Sequence, residues 1–307
     1  MNTQKNITVI GATGNLGAPV VKFLLDFGFT VKIIVRNREK AMRIFGSHPG
    51  LVTEVADLQD VPALTAALKG TEYLYLNLAT EALETSIPFA PDREGLANIL
   101  KAADRASIRQ IITISGLGAL DNVQEQGEKG FAPNIIRKQG QRMLKEAGIP
   151  YTILHCTWFA DSFVLFRRNG VYSVIGDTKN PVWFTNCYDL TRLIVNSHGN
   201  TAAMNREFPV QGNKGIPHPE AARTFLSAWD GQSKVSPLPL GIIRLMALFN
   251  PSMKFLRYMA EYFRESREEF IAGEYGTYAI LGEPLSDLGS YAALLKEKKI
   301  YDYLENR

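Results

Sequence analysis

The stretch VIGATGNLGAPVVKFLL, from Val9 to Leu25, decides the fold that this sequence predicts. Its glycines stand three residues apart, at Gly11, Gly14 and Gly17, between an apolar run and a helical pattern. In a strand–loop–helix unit the first glycine permits a tight turn, and the second lets the backbone approach a pyrophosphate. The third lets the helix pack closely on the sheet. The helix N-terminus then offers free N–H groups to phosphate, so the stretch predicts a dinucleotide-binding loop rather than a purely structural turn.

Outward from this stretch, strand and helix patterns alternate through the first half of the chain. The predicted strands cover residues 7–10, 30–36, 51–57, 72–78, 109–115 and 150–156. The predicted helices between them cover residues 16–26, 61–70, 92–107 and 134–147. Strands that alternate with helices indicate a parallel sheet with helices on both faces. The predicted fold class is therefore α/β, a doubly wound parallel sheet of the Rossmann type, with a smaller C-terminal substrate lobe.

The alternation weakens after Cys156, where short pieces are separated by Gly, Pro and Asn. Helical patterns return at residues 221–229, 242–248 and 252–271. We therefore expect an NAD(P)-binding domain over residues 1–156. Residues 157–307 are expected to form a smaller, mostly helical substrate lobe that returns in part to the sheet.

Composition narrows the class of protein. The 307 residues include 46% hydrophobic and 21% charged residues, with a net charge of +3, which is typical of globular chains. The charges are scattered, so no nucleic-acid partner is predicted. Cys156 and Cys187 are far apart, and no histidines have metal-ligand spacing, so neither a disulfide framework nor a metal site is predicted. No signal peptide and no membrane-spanning stretch are recognised, so we expect a cytoplasmic monomer or homodimer with no membrane partner.

The end of the second predicted strand bears on the choice of coenzyme. An acidic residue there usually binds a free ribose 2′-hydroxyl, but this chain has Arg36, followed by Asn37 and Arg38. A guanidinium group suits a 2′-phosphate through charge-assisted hydrogen bonds. The sequence thus favours NADP(H) over NAD(H), with a solvated basic turn as the alternative.

Several segments together resemble a known family. The segments VIGATGNLG, IIVRN, VADLQD, GTEYLYLNLA, IITISGLGA, MLKEAGIPYTIL and CYDLTRLI occur in the order seen in NmrA-like atypical short-chain dehydrogenases. That group includes NADPH-dependent quinone reductases, isoflavone-reductase-like enzymes and non-enzymatic redox-sensing regulators. The resemblance covers about the first 195 residues and is most specific at the glycine loop and GIPYTIL.

The resemblance implies a set of cofactor contacts, each at a strand end or on an adjoining helix. They are Gly11, Thr13, Gly14, Asn15, Leu16 and Gly17 for the pyrophosphate, Arg36 for the 2′-phosphate, Asp57 and Leu58 for adenine, and Asn77, Leu78, Ala79 and Lys138 for the nicotinamide ribose.

The resemblance also implies catalytic positions at Ser115, Asn134 and Lys138. The usual short-chain dehydrogenase has a tyrosine four residues before its lysine, and this chain has Asn134. An asparagine can orient a substrate but cannot act as a general acid. Arg137 or Arg142 would be the aligned cation if the helix register slips.

The substrate side is predicted from aromatic residues. The family usually has Arg-Pro directly after the YTIL segment, whereas this chain continues with His155, Cys156 and Thr157. Trp158 and Phe159 come next, and Trp183 lies further along the chain. These three residues are expected to line an apolar pocket. The later helix, with aromatic and Met residues at helical spacing, either joins that wall or simply faces the core.

These observations support two hypotheses from different classes. One is an NADPH-dependent reductase that transfers hydride directly to a small apolar electrophile such as a quinone or enone. The other is a non-catalytic NADP(H)-sensing regulator, which the absent tyrosine favours. A sugar-nucleotide epimerase or dehydratase is less favoured, because those enzymes also depend on the tyrosine.

Overall fold

The computed structural model describes residues 5–121, 130–176, 179–250, 252–265 and 267–304. Its strands are β1 Asn6–Ile10, β2 Thr30–Val35, β3 Leu51–Val55, β4 Tyr73–Leu76, β5 Gln110–Gly116, β6 Tyr151–Cys156, β7 Val171–Ile175, β8 Pro181–Val182, β9 Arg206–Val210, β10 Ile216–Pro217 and β11 Lys234–Leu238. Its helices are α1 Gly17–Asp26, α2 Arg38–Phe45, α3 Val61–Leu68, α4 Leu96–Ala102, α5 Ala132–Glu146, α6 Ser162–Leu165, α7 Cys187–Ser197, α8 His218–Trp229, α9 Leu240–Phe249, α10 Ser252–Glu265, α11 Thr277–Leu281 and α12 Leu288–Glu297.

The main sheet is parallel and seven-stranded, in the order β3-β2-β1-β4-β5-β6-β9. The chain runs outward from β1 to β3 and then returns to place β4 on the other side of β1. In sheets of this kind, ligands bind outside the carboxyl ends of the strands at the point where the strand order reverses. The predicted doubly wound α/β fold is confirmed, and it places the ligand crevice at the ends of β1 and β4.

Helices cover both faces of this sheet. One hydrophobic cluster packs residues of α1, α7, α8 and α12 on one face, and a second packs α3, α4 and α5 on the other. Burial on both faces explains why strands such as TVKIIV are rich in β-branched apolar residues instead of alternating with polar ones. The carboxyl edge is therefore left as the place where polar side chains can meet a ligand.

The seventh strand of the sheet, β9, comes from the second half of the chain and pairs with β6. The sequence REFPV contains Pro209, which has no N–H to donate and is tolerated mainly at the edge of a sheet. β9 is such an edge strand. It brings the residues that follow it to the same edge as the glycine loop.

A buried carboxylate ties the C-terminal segment to the sheet. The hydroxyls of Tyr291 and Tyr301 each donate to Asp161 Oδ1 at 2.6 Å, and the Cys187 N–H donates to Oδ2 at 3.1 Å. The Asp161 side chain is fully buried. Residues from before and after position 156 also lie together in one hydrophobic cluster, and the predicted domain boundary there stays a prediction.

Two predicted helices are wrong in extent. The predicted helix over residues 92–107 is a π-helical turn, Pro91–Gly95, followed by α4, which ends at Ala102. Just beyond it, the Asp104 side chain accepts from the Ala106 N–H and the Ser107 hydroxyl, which forms a turn in place of further helix. The predicted helix over residues 252–271 ends at Glu265.

Candidate functional site

The glycine loop has the tight geometry that its spacing predicts. Gly11 has a φ of +87°, and a Cβ built on it would lie 2.0 Å from the Asn77 carbonyl oxygen. A Cβ on Gly17 would lie 2.1 Å from the Gly11 carbonyl oxygen, so α1 meets the loop at backbone contact distance. Gly14 differs, because its Cβ would meet only the Gly11 oxygen at 3.2 Å and the residue is exposed. The open side of the loop therefore lies at Gly14.

The N-terminus of α1 is left available to an anion. Its N-cap residue is Leu16, which makes no side-chain capping bond, and its first turn has no acidic residue. By contrast, Asn37, Asp60 and Asn186 cap α2, α3 and α7 with their side chains. A helix N-terminus has unpaired N–H groups and a positive dipole end, both of which favour phosphate.

A buried donor without a partner lies beside this loop. Asn77 follows β4, and its N–H donates to the Ile10 carbonyl at 2.9 Å. The Asn77 Nδ2 atom is buried and has no hydrogen-bond acceptor among the described residues. Because an unmade buried hydrogen bond is costly, such an atom in a crevice is typical of a ligand contact. Of its predicted neighbours, Leu78 is buried in the core and Ala79 is exposed.

The ends of β2 and β3 carry the residues predicted to bind the adenosine half. Arg36 is exposed and makes no hydrogen bond or ion pair within the described part of the chain. Arg38, two residues on, donates through Nη2 to the Thr53 carbonyl at 3.0 Å. Only Arg36 of the two is thus unengaged. Asp57 Oδ1 accepts from the Gln59 N–H at 2.8 Å, which leaves one carboxylate oxygen for another partner.

The remaining adenine candidate, Leu58, is half-buried and packs against α4. A Cβ built on Gly95 would lie 3.0 Å from Leu58 Cδ1, and the Leu58 carbonyl accepts from Asn98 Nδ2 at 2.9 Å. Thr13 is half-buried and Asn15 is exposed on the loop itself. These positions all lie on one edge of the sheet.

Ser115 is held by a side chain that the sequence did not single out. It is buried at the end of β5, and Gln141 Nε2 on α5 donates to its Oγ at 2.6 Å. The hydroxyl is therefore already engaged in this structure. Its predicted catalytic role stays a prediction.

One face of α5 lies over the end of β5. Asn134 is buried, and its Nδ2 would be 2.4 Å from a Cβ on Gly118, so it lies close to that backbone. Arg137 Nε forms an ion pair with Asp92 Oδ1 at 3.7 Å, which fixes that cation to the π-helical turn. Lys138 is half-buried and has no polar partner among the described residues. Residues three and four apart share a helix face, so Lys138 lies on the same side as Asn134.

His155 and Cys156 point to opposite faces of β6, as strand geometry predicts. His155 Nε2 lies 2.9 Å from Glu207 Oε2, and Lys145 Nζ lies 2.5 Å from Glu207 Oε1. Although burial opposes it, the bonds from His155 and Lys145 lower the pKa of Glu207 to about 2. Cys156 lies in the hydrophobic cluster that includes residues of α1 and α7, where burial raises the pKa of its thiol. A cysteine–histidine nucleophile is thereby excluded here.

The predicted substrate aromatics lie beyond the ends of β6 and β9. The Trp158 carbonyl accepts from the Thr185 N–H at 2.9 Å, and the Trp183 carbonyl accepts from the Gly212 N–H at 2.8 Å. Trp158 and Trp183 are half-buried, whereas Phe159 is buried in the main core. The two tryptophans therefore offer aromatic surface at this edge, and the pocket itself stays a prediction.

The later aromatic helix lies against the start of α5. The Phe131 ring stacks with Tyr258 at 5.1 Å and with Tyr262 at 4.6 Å between centroids, both from α10. The Ala132 N–H, in the first turn of α5, donates to the Tyr258 hydroxyl at 2.9 Å. α10 thus packs on the segment that positions Asn134.

Comparison with known proteins identifies the family. The model of a family described as NAD(P)H-binding matches residues 11–181, which is more than half of the chain. The chain belongs to this NAD(P)H-binding family. The NAD(P)H-binding domain that the resemblance to NmrA-like atypical short-chain dehydrogenases implied is thereby confirmed.

Two relatives and one solved structure illustrate the similarity of this NAD(P)H-binding chain to other proteins. It is 24% identical to the NAD(P)H azoreductase of Xenophilus azovorans over 228 residues, 72% of this chain and 73% of that one. It is 31% identical to quinone oxidoreductase 2 of Escherichia coli (strain K12) over 160 residues, 52% of this chain and 50% of that one. A crystal structure of the NADPH-dependent quinone oxidoreductase QOR2 of Escherichia coli, complexed with NADPH, has a TM-score of 0.66. That match has 20% identity and covers 94% of this chain and 99% of that one, and it supports the fold.

The NAD(P)H-binding assignment fits the site on physical grounds. A dinucleotide needs an open backbone approach, an uncapped helix N-terminus and hydrogen-bond donors, and these are present at Gly14, at α1 and at Asn77 Nδ2. Within the described residues, no helix combines the length and apolar character needed to cross a membrane.

Sequence reasoning missed two polar groups at this NAD(P)H-binding edge. One is Gln141, whose signal was its position on the same α5 face as Asn134 and Lys138. The other is Glu268, which accepts from Thr157 Oγ1 at 2.6 Å and from Gln211 Nε2 at 2.7 Å. No local pattern marks Glu268, because the contacts come from residues 57 and 111 positions away along the chain.

Proposed function

We propose that this protein is an NADPH-dependent reductase that transfers hydride directly to a small apolar electrophile such as a quinone or an enone. The observation that carries the proposal is the shared edge of the sheet. The glycine loop, the unengaged Arg36 and the half-buried Trp158 and Trp183 all lie at the carboxyl ends of its strands. One ligand spanning that edge would place its reactive end beside aromatic surface.

The chain's own groups have distinct roles in this proposal. The loop around Gly14 and the N-terminus of α1 hold the pyrophosphate, and Arg36 pairs with the 2′-phosphate. Asn77 Nδ2 and Lys138 donate hydrogen bonds to the nicotinamide half. When bound, the reduced coenzyme supplies a hydride equivalent. The protein positions the two reactants and excludes water, and this orientation lowers the barrier.

The class of electrophile follows from α5. Asn134 occupies the position where short-chain dehydrogenases carry a proton-donating tyrosine, and an amide does not act as a general acid. A quinone tolerates this, because the anion formed on hydride addition spreads its charge over the ring. The names of two homologues, an azoreductase and a quinone oxidoreductase, also support a conjugated acceptor.

The first expected result is NADPH oxidation that depends on a conjugated acceptor. Purified protein is mixed with NADPH and a panel of quinones, enones and aldehydes, and the loss of absorbance of the reduced coenzyme is followed. We expect turnover with quinones or enones. Tight NADPH binding with no turnover of any acceptor would refute the reductase and favour the regulator, the alternative that lacks catalysis.

A second expected result concerns Lys138. Lys138→Ala should weaken NADPH binding about tenfold, because a hydrogen bond from a charged donor contributes about 1.5 kcal/mol. Arg142→Ala is the matched control, since Arg142 is an exposed cation one helical turn further along α5. Calorimetric titration of both variants decides between them. A tenfold loss in Arg142→Ala, with Lys138→Ala unchanged, would show that Arg142 is the aligned cation.

A further inference from the structure

An acidic side chain lies at the edge of the sheet where the nicotinamide half is proposed to bind. Thr157 directly follows β6 and Gln211 directly follows β9, and both side chains donate to the Glu268 carboxylate, at 2.6 Å and 2.7 Å. A dinucleotide-binding fold is built from two halves, and the strands on the β4 side of β1 bind the nicotinamide half of the coenzyme. Glu268 therefore lies at the edge of the sheet where the nicotinamide half is proposed to bind.

The segment that carries Glu268 is held to the end of β9 by Gln211. Gln211 Oε1 accepts from the N–H groups of Ile271 and Ala272, at 2.9 Å and 3.2 Å, and its Nε2 also donates to the Glu269 carbonyl at 2.8 Å. The segment that carries Glu268 is thus bound to the end of β9 through both ends of one amide. Such support holds a functional side chain in one geometry.

Aromatic residues lie next to the hydrogen-bond partners of Glu268 or close to it along the chain. Trp158 is the next residue after its partner Thr157, and the rings of Trp183 and Phe270 lie 6.1 Å apart between centroids. Burial raises the pKa of Glu268, although the hydrogen bonds from Gln211, Thr157 and the Trp183 backbone act in the opposite direction. The protonated carboxyl group consequently persists to higher pH than in an ordinary glutamate.

The titratable groups around Glu268 leave it without a cationic partner. Tyr278 lies across Gln211, to whose carbonyl its hydroxyl donates, and His218 lies beyond Trp158 at 6.2 Å between rings. Arg267 and Glu269 flank it on the chain, and both are exposed. Within the described residues, no lysine or arginine forms an ion pair with Glu268.

We infer that Glu268 is the proton donor to the oxygen of the bound electrophile, supplying from the β6–β9 side the acid that Asn134 cannot supply from α5. This inference rests on the proposed function. The quinone gains two electrons and one hydrogen as hydride from the reduced nicotinamide, which is oxidised. The carboxyl O–H bond of Glu268 breaks, a new O–H bond forms on the reduced oxygen, and the carboxylate is reprotonated from solvent.

The experiment compares Glu268→Gln with Glu269→Gln. The second variant removes the same charge one residue away, from an exposed side chain. The wild type and Glu269→Gln should share a kcat/KM for 1,4-naphthoquinone that falls as pH rises through the pKa of Glu268. In Glu268→Gln, kcat/KM should be about tenfold lower at low pH and should not fall as pH rises. General acids usually raise rates by larger factors, but the delocalised anion of a quinone depends less on proton donation. Its thermal unfolding and NADPH affinity should match the control.

A second readout does not need turnover. Binding of 1,4-naphthoquinone to the NADP⁺-loaded protein is measured by calorimetry across the same pH range. Binding should weaken as pH rises in the wild type and in Glu269→Gln, since the donor is lost, and should be independent of pH in Glu268→Gln.

The outcomes separate the two proposals. Turnover with the same rate and pH profile in Glu268→Gln would overturn the inference and leave the reductase intact. No turnover of any acceptor by the wild type would overturn the reductase and, with it, the inference that rests on it. Absence of quinone binding by the wild type would overturn both.

Discussion

Replacing Gly14 with valine should abolish dinucleotide binding while leaving the protein folded. Gly14 has no left-handed φ, and its Cβ would meet only the Gly11 carbonyl oxygen at 3.2 Å. A side chain therefore requires the Gly11 carbonyl to move by only a few tenths of an ångström, but a branched one fills the open side of the loop where the pyrophosphate is expected. We expect NADPH affinity to fall at least about 100-fold, equivalent to about 2.8 kcal/mol.

The control for this variant is Gly241→Val. Gly241 also lacks a left-handed φ and has no atoms within 4 Å of a built Cβ, but it lies on α9, outside the glycine loop. Calorimetry should find wild-type NADPH affinity in Gly241→Val and none in Gly14→Val, with similar thermal unfolding midpoints. A folded Gly14→Val protein that binds NADPH normally would show that the pyrophosphate does not lie at this loop. Gly11 and Gly17 are unsuitable for the test, because side chains there would contact backbone atoms near 2 Å.

The coenzyme loop was predictable because its signals are local. Three glycines at fixed spacing constrain the backbone of one turn, and the apolar run before Gly11 and the amphipathic run after Gly17 define the strand and the helix. The structure places β1 and α1 within one residue of their predicted bounds. The place of Arg36 directly after β2 was predictable in the same way, because the strands of a parallel sheet share one direction, and its contact with the coenzyme stays a prediction.

The substrate end of the site was much less predictable, since it depends on contacts between distant segments. The helical pattern from residue 252 continues past Glu265, yet the structure leaves the helix there. Gln211 donates to the carbonyl of residue 269 and accepts from the N–H groups of residues 271 and 272, and these hydrogen bonds compete with helical ones. Periodicity cannot reveal this competition, so Glu268 was read as one more residue of a helix.

The sequence also does not show which candidate residues already have hydrogen-bond partners within the protein. The pattern placed Ser115 at the end of β5, where many relatives carry a serine, but not the Gln141 that donates to it from α5. Likewise, Arg36 and Arg38 read alike in the sequence, and only the structure shows that Arg38 is bound to the backbone of β3. That difference makes the two arginines a matched pair for testing the choice of coenzyme.

Replacing Arg36 with alanine should weaken the binding of NADPH much more than that of NADH. The two coenzymes differ only in the 2′-phosphate, and Arg36 is an exposed guanidinium at the end of β2 without a partner in the described part of the chain. A charge-assisted pair contributes about 1.5–3 kcal/mol, so NADPH affinity should fall roughly ten- to a hundredfold. NADH affinity should change by less than about twofold, because its free 2′-hydroxyl offers the arginine no charge to pair with.

Arg38→Ala separates this readout from a general effect of lost positive charge. Arg38 carries the same charge two residues away, but its guanidinium donates to the Thr53 carbonyl. Its removal should lower the thermal unfolding midpoint slightly and leave the NADPH-to-NADH affinity ratio unchanged. Calorimetric titrations of both coenzymes against both variants, repeated at higher salt, measure that ratio directly. An equal loss of NADPH and NADH affinity in Arg36→Ala would mean that the phosphate is bound elsewhere. If the NADPH-to-NADH affinity ratio falls only in Arg38→Ala, the 2′-phosphate contact belongs to Arg38. Its guanidinium would then have to leave the Thr53 carbonyl on β3.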